Sequence, residues 1–205
     1  AKANPNADFI NFNCSYYFTD SDSYAPWVSY DERLSTPKEK NETVKLLTAT
    51  SSMVMSACMK MMKRQFVVDN NLTFIKGQLS EDIPWFINLL DCCKTCIFVN
   101  LNVYAYRQGV FGSITHNVGQ KNIDSLINII ESELQKIGKR SFDEEAKNCI
   151  MSFLAYEYCI ILGYLQFLDQ RTAKAKYHYL KRYRYLLNFT MDPKVKKVHV
   201  AVCLL

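Results

Sequence analysis

The sequence predicts a mainly α-helical fold: a bundle of about five helices with an extended N-terminal arm and a strand-like C-terminal tail. Three observations predict it. Apolar residues recur at helical spacing in four stretches between residues 36 and 187, the last of them broken near Gln170. Capping signals and a glycine stop mark several of their ends. Glycine is also scarce, at six in 205 residues, which disfavours a many-turned β-sandwich or a loop-rich scaffold.

Residues 1–35 read as the arm. Turn chemistry (Asp20 to Ser23, Ala25-Pro26) and few aliphatics set them apart, yet positions 9 to 30 hold Phe9, Phe12, Tyr16, Tyr17, Phe18, Tyr24, Trp27 and Tyr30. That density is foreign to a disordered tail. The helical domain then covers 36–193. Thr36, Pro37 and Glu39 open a helix that the pattern carries to about Arg64. Ser80 caps a second, strongly apolar helix over about 81–106. The connection over 107–120 carries three of the six glycines. Ile123, Leu126, Ile127, Ile130, Leu134 and Ile137 predict a third helix ended by Gly138. Ser141 with Glu144 makes a capping box, and helical pattern continues to about Leu187. Asp192-Pro193 reads as its stop. The tail, 194–205, alternates Val198, Val200, Val202 and Leu204 with other residues, a period of two.

Composition bounds the function. Hydrophobic residues are 49% and charged residues 22%, as in an average globular domain, so neither a coiled coil nor a disordered chain fits. The net charge of +5 permits an acidic partner without demanding one. The apolar runs are interrupted short of a membrane span. The opening AKANPNADF has no signal-peptide pattern, and Ala1 fits removal of an initiator Met. Sequons stand at Asn13, Asn41, Asn71 and Asn188.

No residue pattern announces catalysis. His116, His178 and His199 are isolated, and no second C-x-x-C follows at ligand spacing, so neither a metal nor another cofactor is expected. Nucleophile elbows and phosphate-cradling glycine loops are missing. Cys93 and Cys96 form one C-x-x-C, a redox spacing that needs a helix N-terminus to lower a thiol pKa. The pattern puts them mid-helix instead, as buried thiols. A thiol oxidoreductase is the least favoured of three readings, and the chain is expected not to be an enzyme. The second reading is a nucleic-acid-binding, nucleocapsid-type protein. Its basic face, Arg171, Lys174, Lys181, Arg182 and Arg184, alternates with tyrosines along residues 171–184, as phosphates and stacked bases require.

The favoured reading is a structural protein that assembles with itself. An aromatic arm and a lone strand both need partners, and exchange between neighbours supplies them. Packing of the arm on its own domain is the competing reading. Cys14 in the arm and Cys203 in the tail are the candidates for intermolecular disulfides. Thirteen Tyr and eight Cys also make a lattice balanced at neutral pH strongly self-repelling in alkali.

This general build resembles the matrix proteins of insect-virus occlusion bodies, the polyhedrin class, in an α-helical version of the nudivirus type; it rests on overall build and no motif. The resemblance implies a crystalline matrix that protects virions and dissolves in alkaline gut fluid. It also implies an intracellular location in the host, nucleus or cytoplasm, with the chain itself as main partner and virions or nucleic acid as further ones.

Overall fold

Seven α-helices and a curled five-stranded mixed sheet make up the chain in a computed structural model that describes residues 4, 6–110 and 118–203, without the side chains of 202 and 203. The order is β1 (Phe9–Phe18), β2 (Ser23–Pro26), β3 (Lys38–Glu39), α1 (Lys40–Ala49), β4 (Lys60–Met62), α2 (Arg64–Asp69), α3 (Asp82–Cys92), β5 (Thr95–Gln108), α4 (Gln120–Lys136), α5 (Glu144–Tyr164), α6 (Gln170–Leu180) and α7 (Pro193–Cys203). This α+β build corrects the expected mainly α-helical bundle of about five helices. His116 and the rest of 111–117, half of the connection over 107–120, lie outside the described residues.

The arm is the first correction. β1 is the central strand, not an extension. Its neighbours are β2 and β4, antiparallel, and β5, parallel, with Phe9 beside Cys96 and Phe18 beside Gln108. Phe9 and Tyr30 are buried among Phe86 and Phe98. The alternation was masked because Asn11 and Asn13 occupy buried positions of the strand. Their amide nitrogens have partners: Asn11 Nδ2 donates to the Tyr30 hydroxyl at 2.8 Å and Asn13 Nδ2 to the Val28 carbonyl at 2.5 Å, whereas the buried Asn11 Oδ1 has none among the described residues. A donor with a partner costs little to bury, and an acceptor without one is costly.

The helix expected over 81–106 ends at Cys92. Beyond it Thr95, Ile97, Phe98, Val99, Val103, Tyr104 and Tyr106, β-branched or aromatic, favour strand over helix, and β5 forms. The first helix is also shorter than expected. Ser51 takes a left-handed conformation (φ +50°), Ser51 N–H bonds the Thr48 carbonyl and Ser52 N–H that of Leu47. Those are the two bonds of a Schellman stop, here with serine in the position glycine usually fills.

The tail is the third correction. Residues 193–203 are helix α7, not a strand. Asp192 is its cap, accepting from Lys194 N–H at 2.7 Å, and Pro193 occupies the first turn. Val195 is fully buried and Val198 packs on the core three residues later. Helix α4, the break at Gln170 and the helix from Glu144 follow the sequence pattern closely.

α5 is the axis of the core, with α1, α4, α7 and the 3₁₀ run Lys181–Asn188 packed around it. By length and composition alone Glu144–Phe167 is long and apolar enough to cross a membrane, and half of its 18-residue apolar window is buried inside the fold.

Candidate functional site

Past Asn13 and Asn100 the sheet leaves the core. β5 is buried at Cys96, Ile97 and Phe98 and exposed from Asn100 to Ala105, so β2 and the far halves of β1 and β5 stand off as a three-stranded ribbon. Its two faces are aromatic. Tyr16, Trp27 and Tyr106 stack on one, with ring centroids 5.3 and 5.5 Å apart. Tyr17 and Tyr24 stack on the other at 4.9 Å, and the Tyr17 hydroxyl donates to Asp22 at 3.0 Å.

The ribbon has an open side. β3 pairs with β5 only at Thr95 and Cys96, and Asn100 bonds the backbone N–H and carbonyl of Tyr30, both at 2.8 Å. From Leu101 onward no strand among the described residues pairs with the outer edge of β5. The segment there, LNVYAY at 101–106, has no charge, no proline and no glycine, and Leu101 and Val103 are 58% and 52% exposed. Natural edge strands are normally blunted by charge, proline or a bulge; here only register shifts against β1, between Phe98 and Tyr104, interrupt the strand.

Beneath the ribbon lies a cavity of about 550 Å³. Trp27, Tyr104 and Tyr106 form its roof; Met53, Met55 and Phe153 are among the apolar walls. Three carboxylates reach it. Asp192 is held by the Ser51 hydroxyl at 2.6 Å and by the α7 N-terminus. Asp82 sits in the first turn of α3, where the helix dipole favours an anion. Glu157, in the middle of α5, is 7% exposed and has no hydrogen-bond or ion-pair partner among the described residues. Burial, with a smaller push from Asp82, raises its carboxyl to about 8. Asp82 is raised too, by burial first and then by Glu81.

Close by, Lys60 Nζ donates to the carbonyls of Val54, Met55 and Ser56 at 3.1, 3.2 and 2.9 Å and stands 4.1 Å from the Phe86 ring centroid. Burial draws this ammonium down to about 7, with Asp82 opposing. Three carbonyls and a ring face act the other way, and the geometry is that of a bound cation. Neither Glu157 nor Lys60 was singled out from the sequence. Glu157 was visible in principle, as the one carboxylate inside the apolar run from Cys149 to Leu162.

The residues picked from the sequence are scattered. Tyr16, Tyr17, Phe18, Tyr24 and Trp27 gather on the ribbon, whereas Phe9 and Tyr30 are core and Phe12 is half-buried. Cys14 is fully buried in β1, and burial raises its thiol to about 11, so it does not reach outward as an interchain bond requires. Cys203 ends α7, and its side chain lies outside the described residues. Cys93 and Cys96 lie at a helix C-terminus and a strand start, not mid-helix, and both are buried. Cys93 Sγ donates to the Leu90 carbonyl, and its thiol is raised by its contact with Cys96 and by burial. A helix C-terminus further disfavours thiolate.

Arg171, Lys174, Lys181, Arg182 and Arg184 are all exposed along α6 and the 3₁₀ run, without an ion pair among the described residues. Arg182 lies on the Tyr179 ring at 3.9 Å and Lys181 over Tyr177 at 5.5 Å. Lys176 instead pairs with Asp124 of α4, and Tyr179 and Tyr183 both donate to Glu131. No group of three or more His, Cys, Asp or Glu among the described residues is placed to hold a metal. No model of a known protein family matches the chain, and no curated protein matches it either, so the ribbon and the cavity are read from their own geometry.

Proposed function

We propose that the chain is a structural protein that assembles with itself through the open edge of β5. The observation that carries this reading is the uncharged, exposed segment Leu101–Tyr106 on an unpaired strand edge. Such an edge is a template for another strand, and a six-residue segment without charge or proline suits a copy of itself. A two-fold axis at Val103 sets Leu101 of one chain against Ala105 of the next, an isologous contact free of like-charge repulsion. Tyr24, at 66% exposed on β2, and Phe18 on β1 add apolar surface elsewhere on the ribbon, away from this edge. Growth beyond such a two-fold pair into a crystalline matrix of the occlusion-body kind requires a second contact and is the further step of this proposal.

Light scattering at pH 7 tests it. Wild-type protein is expected to form assemblies, and Val103→Lys, which charges the edge without touching the core, is expected to leave monomers. A wild-type monomer at every concentration, or equal assembly by the lysine variant, overturns the proposal.

A second reading has its own observation. Five exposed basic residues without ion pairs lie beside Tyr177 and Tyr185, 50% and 47% exposed, a surface suited to a nucleic-acid strand. Salt-dependent binding of single-stranded nucleic acid, lost in Lys181→Glu/Arg182→Glu, supports it; binding that survives the double change removes it.

A further inference from the structure

The carboxylate of Glu157 has no partner among the described residues, and the cavity it enters is walled in part by rings. We infer that this cavity is a binding site for a small organic cation, an ammonium carried on an aromatic or aliphatic body, with Glu157 as its ion-pair partner and the Trp27, Tyr104 and Tyr156 rings around it.

Each part of the inference has a place in the geometry. A side chain that is 7% exposed and unpaired is costly unless something completes it. The volume, about 550 Å³, is that of a drug-sized ligand rather than of a single water or ion. The donor set does not suit a metal, since no group of three or more His, Cys, Asp or Glu converges among the described residues. Aromatic faces suit a diffuse organic cation, and apolar walls suit its body. The other charged groups around Glu157 are accounted for. Asp192 caps α7, Asp82 lies on the α3 N-terminus, Lys60 is bound by three carbonyls, and Lys194 of α7 rests 5.1 Å over the Tyr156 ring. The carboxylate left without compensation is the one in the middle of α5.

A consequence follows for proton balance. Glu157 is largely protonated near neutral pH in the empty cavity, and an ammonium favours its ionised form. Binding therefore expels a proton to the buffer, and affinity rises with pH until Glu157 is ionised beforehand.

Titration calorimetry with phenethylamine tests the site, run at pH 7 in two buffers of different ionisation enthalpy. The neutral 2-phenylethanol and the anionic 3-phenylpropionate serve as shape controls. Saturable binding of the amine alone, with proton release, is expected, and Glu157→Gln weakens it at least tenfold. Glutamine keeps the shape and neutrality of the protonated acid, so this variant folds. Asp82→Asn, half-buried and further along the wall, weakens it by a smaller factor. Equal binding of the alcohol, unchanged affinity in Glu157→Gln, or no saturation at millimolar amine overturns the inference.

Discussion

Arg140 closes on Glu133 across the end of α4, its Nε 3.1 Å from Oε2, with the two side chains 5% and 0% exposed. The same guanidinium reaches Asp91 at 3.3 Å and the Asn88 side-chain oxygen at 3.0 Å, both on α3. It is thus the polar joint between α3, α4 and the start of α5. Without Arg140 the buried Glu133 carboxylate keeps only the half-exposed Lys136 ammonium, 3.4 Å away, and breaking such a buried pair costs about 3–5 kcal/mol. Arg140→Met is expected to lose that much in urea unfolding. Glu133→Leu/Arg140→Met is expected to recover most of it, and a double variant no better than the single would refute the pairing.

Alkali should loosen the monomer itself. Burial raises the thiols of Cys14 and Cys92 to about 11 and holds the Tyr30 phenol above the ordinary tyrosine range. A raised pKa means the folded chain keeps its proton longer than the unfolded one. The stability from these groups is whole below their ordinary values, near 8.5 for thiols and 10 for phenols; the thiols' share is lost as pH climbs through about 11, and the Tyr30 share is lost only above that. Denaturant midpoints at pH 8, 10 and 11.5 should fall steeply over the upper interval. A flat profile would put any alkaline disassembly at the interfaces alone.

Thiol reagents should rank the cysteines. Cys58 is exposed, whereas Cys14, Cys93, Cys96 and Cys149 are buried. Under native conditions Cys58 is expected to react quickly and those four only at the rate of opening. Fast labelling of Cys93 or Cys96, followed by peptide mass, would restore the redox reading.

Asp192 holds the start of α7 and the end of α1 together, through Lys194 N–H and the Ser51 hydroxyl. Asp192→Ala removes an N-cap worth about 0.5–2 kcal/mol, and amide exchange in α7 should speed up with it. A thermal midpoint unchanged from wild type would mean that the cap is redundant.

The sequence made some of this legible and hid the rest for identifiable reasons. α4 shows because Ile123, Leu126, Ile127 and Ile130 keep a clean helical period on a half-exposed helix. β5 hides because its first half is buried on both faces, where a short apolar run reads equally as helix or strand. β-branched Thr95, Val99 and Val103 were the available signal. α7 hides because Val198, Val200 and Val202 alternate by composition, while the Asp192-Pro193 start lies just outside the alternating run. Of the aromatics grouped from the sequence, five lie on the ribbon and the rest do not, because the sheet they share depends on the buried Asn11 and Asn13 and on Asn100, whose roles no pattern announces. The cavity needed tertiary structure throughout: its roof comes from positions 27, 104 and 106 and its floor from position 157.

The parallel pairing of Phe9 with Cys96 also sets a schedule for synthesis. A ribosome adding roughly 5–20 residues per second needs several seconds to travel from one to the other. β2 follows β1 at once, so Ser15 to Phe18 can close as a hairpin early, but Phe9 to Asn11 must wait for β4 and then β5. During that interval a nascent chain carries a hydrophobic strand with nothing to pair against. A nascent chain would meet other copies at that stage, so brisk translation between β1 and β5 and abundant holdase chaperones should improve the yield of correctly folded chains.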